Sequence, residues 1–157
     1  MTAAAGQPVG NEGSRAARAS PTRLVVARDH GFTTWSAVEG ESDPIFELAV
    51  DVVVHGRISE LSAVLADHPD LPVRRSAYGH HATLLHYTAA NGVEIRRQVV
   101  PANAAEVVAT LLDAGADRFA KLHAYGGEFD VLAMFKTSAH PHDAGVAAEV
   151  EHALSTN

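Results

Sequence analysis

Apolar residues recur at helical spacing along most of the chain. Ile45, Phe46, Ala49, Val52 and Val53 form one stripe, which Gly56 breaks. Ile58, Leu61, Val64 and Leu65 form a second, which ends at His68-Pro69. Two short helices with so brief a connection predict an αα-hairpin. Each helix covers only one face of the other, so the pair needs a neighbour. Pro44 suits the first turn of its helix, where no backbone N–H is needed. The same signature returns twice. Leu61 with Val64-Leu65, Val108 with Leu111-Leu112, and Val150 with Ala153-Leu154 all stand at offsets of three and four. A recurring helix signature predicts repeated units.

Upstream, Leu24-Val25-Val26-Ala27 predicts a short helix ending near Gly31, with Phe32 and Trp35 as pins onto the body. Residues 1–23 are rich in Ala, Gly, Ser and Arg and read as a disordered tail. Residues 24–42 read as a helical lead-in and linker, and 43–157 as the repeat domain.

The second unit carries specific words. Thr83-Leu84-Leu85-His86, Ala89, Gly92, Leu111-Leu112 and Gly115-Ala116-Asp117 resemble the ankyrin repeat, with Leu84 in place of its usual Pro. Ala27-Arg28, Gly31-Phe32 and Trp35 are similar to the lead-in of a bacterial ankyrin-repeat family. Equivalent leucine and alanine positions are 36 residues apart from Ala49 to Leu85 and 47 from Leu85 to Leu132. The period of such repeats is about 33. The surplus falls in longer loops after each unit and in an insertion, Val93 to Ala104, between the helices of the second unit. Units of about 43–76, 77–123 and 124–157 follow. The third is the least regular. Asp130-Val131-Leu132-Ala133 replaces the Thr-to-His word, and Lys136 stands where a small alanine lets helices approach.

The resemblance implies an all-α fold of stacked helix–loop–helix units and a non-catalytic protein–protein interaction scaffold. It implies a structural role for Thr83, Leu85, His86, Ala89, Gly92, Leu111, Leu112 and Gly115, with His86 tying neighbouring loops by hydrogen bonds. It also implies that projecting loops contact a protein partner. Arg74, Arg75, Tyr78, His80 and His81 fall in one such loop. Arg118, Phe119, His123 and Tyr125 fall in the next, at the same place in its unit. Arg96 and Arg97, in the insertion, read as solvated. No capping unit follows the third, so the expectation is either that the chain is truncated or that this outer face meets a partner or a second copy.

Composition narrows the function. A net charge of -7 argues against nucleic acid and anionic membrane as partners. The absence of cysteine removes disulfides, thiolate catalysis and cysteine zinc sites, and fits a reducing cytoplasm. No apolar run reaches membrane-spanning length. No phosphate loop, dinucleotide fingerprint or nucleophile elbow is present, so no enzyme activity and no cofactor are expected. The competing reading is a small metal- or ligand-binding protein using His80, His81, His123, His140 and His142. Their spacing matches no metal motif.

Overall fold

The computed structural model describes residues 21–29 and 42–156. Helix α1 (Pro21–Asp29) contains the Leu24–Ala27 segment and begins three residues ahead of it, so residues 21–23 belong to the helix and not to the tail. Residues 1–20, Gly31, Phe32 and Trp35 lie outside the described residues.

Helices α2 (Pro44–Val54) and α3 (Ile58–Asp67) are the expected hairpin. Asp43 caps α2, its Oδ1 accepting from Ile45 N at 3.0 Å and Phe46 N at 3.3 Å, with Pro44 next. Gly56 ends the hairpin turn at φ +66°, a conformation that costs other residues about 1–2 kcal/mol. A side chain there would also strike Asn103, whose amide donates to Gly56 O at 2.9 Å. A 3-10 turn (Leu71–Val73) follows, then the four-residue α4 (Leu84–Tyr87), a second 3-10 turn (Ile95–Arg97) and α5 (Ala104–Asp113). Strands β1 (Lys121–Ala124) and β2 (Gly127–Asp130) lead to α6 (Val131–Lys136), α7 (His140–Asp143) and α8 (Ala147–Ser155).

The fold is mostly helical, as expected, but not purely so. The stretch read as a projecting loop forms an antiparallel hairpin, with Leu122 opposite Phe129 and His123 opposite Glu128. Tyr125 and Gly126 make its two-residue turn, both at positive φ (51° and 77°), the geometry whose twist matches paired strands. Among the described helices, α2 touches α4 and α4 touches α6, while α3 touches α5 and α5 touches α8. The apolar stripes meet between these two rows. Phe46, Leu61, Leu85, Tyr87, Leu111, Leu122, Met134 and Leu154 are all buried there. Gly92, at φ +70°, leaves room for Met134, Leu122 and Ala124 to close against it.

Lys136 does stay out of the packing. It is exposed and pairs with Glu151 at 3.4 Å. Apart from Ala148, the outward residues of α8 (Glu149, Glu151, His152 and Ser155) are polar. None of the large apolar side chains exposed among the described residues lies on that helix.

Candidate functional site

Thr83 and His86 start α4 as a reciprocal cap. Thr83 N–H donates to His86 Nδ1 at 3.1 Å, and Thr83 Oγ1 stands 2.9 Å from the same nitrogen. Nδ1 accepts, so the neutral ring carries its proton on Nε2. Nε2 is buried without a hydrogen bond. The cap bonds to Thr83 are local, and backbone groups of Ala120 and Phe129, from the following loop and strand, also act on the ring. Burial pulls its pKa down from 6.5 to about 4, although backbone groups of Ala120 and Phe129 favour the charged form. Leu85, Ala89 and Leu111 are buried and Leu112 partly so. Gly115 takes φ +94° after α5.

A pH dependence follows. Between pH 6.5 and about 4 the unfolded chain binds a proton at His86 that the folded chain refuses. This stability is complete above pH 6.5 and is lost as pH falls toward 4, by about 3 kcal/mol. Urea denaturation at stepped pH measures it. A flat midpoint from pH 7 to 4.5 would remove the neutral-imidazole account.

A polar network sits beside this cap. His80 Nδ1 accepts from Ala82 N–H at 3.0 Å, which leaves Nε2 to face Glu94 Oε2 at 3.2 Å. Glu94 Oε1 accepts from Arg97 Nη1 at 3.1 Å, and the same nitrogen reaches Glu47 Oε2 at 2.6 Å. Asp51 Oδ1 adds a contact at 3.4 Å, and the guanidinium lies 6.0 Å from the Tyr87 ring centre. Burial opposes the charge on Glu94. The hydrogen bond from His80 and the charge of Arg97 outweigh it and hold the carboxyl near 2. Arg97 is only 5% exposed, which corrects its reading as a solvated residue; Arg96 is exposed as expected. The insertion is therefore clamped over α2 and α4 by its second arginine.

The loop residues divide into three groups. Tyr78 and His80 are buried, their rings 5.9 Å apart, so the expectation that they project is corrected. Arg74, Arg75 and Arg118 act as ties. Arg74 bonds Asp70 at 2.6 Å and Asp43 at 2.9 Å. Arg75 donates to the carbonyls of His81 (2.8 Å) and Lys121 (2.6 Å). Arg118 donates to Leu154 O at 3.1 Å and Thr156 O at 2.8 Å, fastening the end of α8. His81, His123 and Tyr125 remain at the surface. The His81 and His123 rings meet edge-on at 5.7 Å, and His123 lies 3.6 Å from Glu128. His123 N–H donates to His80 O at 2.8 Å, which joins the two loops along one edge of β1. His81 and Tyr125 both sit at positive φ, an unfavourable conformation held by these surroundings.

Between the hairpin, the first loop and the insertion runs an open groove of about 720 Å³. His80, His123, Tyr125 and Glu128 line it, with Val93 and Gln98 on the insertion side. Tyr125 Oη donates to Asn91 Oδ1 at 2.7 Å, which steadies the hairpin tip over it. Sequence reasoning placed His80, His123 and Tyr125 but missed Glu94, Gln98 and Glu128. A lone acid inside the insertion, Glu94, was the one signal available. Among the described residues no three of His, Asp and Glu converge as metal ligands, and no helix is long and apolar enough to cross a membrane. No protein-family model, curated protein or solved structure matches the chain.

Proposed function

We propose that this chain is a non-catalytic, cytoplasmic interaction module of the ankyrin-repeat type, and that it holds a protein partner in the groove beside the hairpin. One observation carries the reading. Two loops at the same place in successive units, 47 residues apart, meet to line one groove with His80, His123 and Tyr125. The paired rows of helices and the Thr83–His86 cap support the repeat character. Clamping of the insertion supports a preformed wall, which lowers the ordering cost of binding. An exposed tyrosine with polar neighbours is a common contact at protein interfaces.

A photo-reactive amino acid at Tyr125, with a second placed at Ala148 on α8 as control, tests this in extract from the source cells. The expected result is one defined adduct from position 125 alone. The purified partner then binds His123→Ala at least about tenfold more weakly, a loss near 1.4 kcal/mol. Equal capture from both positions, or binding indifferent to His123, would sink the groove assignment.

A further inference from the structure

Asn91 is the one asparagine of the sequence followed by glycine. Such a pair is able to close on itself, because glycine puts no side chain between its backbone nitrogen and the asparagine amide. Gly92 N bonds to Asn91 Cγ, the Cγ–Nδ2 bond breaks, and the Gly92 proton leaves with Nδ2 as ammonia. Water then opens the five-membered imide at either carbonyl, giving aspartate or isoaspartate. The pair is within reach of water: Asn91 and Gly92 are both partly exposed, and Gly92 lines the groove. Among the described residues nothing accepts from the N–H of Gly92, so the attacking nitrogen is not tied up.

The side-chain amide, by contrast, is held from three directions. Asn91 Nδ2 donates to Thr137 Oγ1 at 2.9 Å and to Met134 O at 3.3 Å, and Oδ1 accepts from Tyr125 Oη at 2.7 Å. Gly92 is itself packed close to Met134, Ala124 and Leu122. Ring closure turns the amide onto the backbone nitrogen and expels Nδ2, so it has to undo these anchors, and groups denied free approach react far more slowly. We propose that Asn91-Gly92 is a deamidation site kept dormant by the hairpin tip and the end of α6, and that its conversion loosens both. The product carboxylate has no proton to offer the Met134 carbonyl, so that contact turns from attraction to repulsion. Isoaspartate also adds a backbone methylene next to Gly92, where Met134 already sits close. The change is one-way, because ammonia is lost. It needs no partner in the groove, so it stands apart from the interaction reading.

The full-length chain is held at mildly alkaline pH, native or in guanidinium chloride. Peptide mapping follows the one-dalton mass gain at each asparagine, with isoaspartate assayed alongside. In denaturant Asn91 is expected to convert at least about tenfold faster than Asn103, which precedes alanine, and in the native chain at least about tenfold more slowly than in denaturant. Tyr125→Phe removes the anchor on Oδ1 from an exposed ring and should speed native conversion at least about threefold. Val53→Ala, a core truncation in α2, lowers stability without touching the anchors and should speed conversion less than Tyr125→Phe does. Asn91→Asp, which reproduces the aspartate product, should lower the urea midpoint. A native rate equal to the denatured one, a Tyr125→Phe chain no faster than the unmodified one, a greater speeding by Val53→Ala, or an unchanged midpoint in Asn91→Asp would each overturn the proposal.

Discussion

Arg97→Met is expected to be among the most damaging single changes in this chain, costing about 3 kcal/mol or more. The substituted side chain fills most of the space, so packing is not the main loss. What is lost is the cation between Glu47 and Glu94, and Glu94 is only 6% exposed. Removing one member of a buried ion pair strands the other, which costs about 3–5 kcal/mol. Glu47 is partly exposed at 20%, so its share is screened and the lower end applies. Pairing the change with Glu94→Gln should recover part of the loss, because the stranded charge is gone. Equilibrium urea denaturation of the two single variants and the double variant gives this coupling. Strict additivity would mean that Arg97 acts by packing alone.

His86→Ala is expected to cost about 2–3 kcal/mol. Two effects combine. Thr83 N–H loses its acceptor, which is the His86 half of the reciprocal cap at the start of α4, and a fully buried ring leaves a cavity. A lowered urea midpoint with an unchanged slope would fit. The variant should also lose the pH dependence between 6.5 and 4, which a purely steric defect would not touch.

The helices were the readable part of this chain. Stripes such as Phe46, Ala49 and Val53 depend on local spacing, and Gly56 marks a break that its positive φ makes legible locally, although Asn103 also crowds it. The hairpin was harder to see. Its strands are four residues each and mix Lys, His, Glu and Asp with Leu and Phe, so alternation is too short to stand out. Gly126-Gly127 reads as a turn, but the turn pair is Tyr125 and Gly126, and tyrosine is not a residue that usually marks a positive φ. The groove was half readable. Equal placement in successive units identified His123 and Tyr125. It could not reveal that the insertion would cover Tyr78 and His80, because that depends on contacts such as Glu47 with Arg97. A charge reads as solvated until its distant partner is known.

That contact also bears on the order of events in folding. Glu47 and Arg97 are 50 residues apart in sequence, so their pairing closes a long loop, a cost that favours its forming after α2 and α4 have met. An interaction made late is absent from the transition state. It then lends little to the speed of folding and much to the slowness of unfolding. The clamp is in this sense a lock on a finished fold: breaking Arg97 should steepen the loss of the native state over time while leaving the rate of its formation nearly as it was.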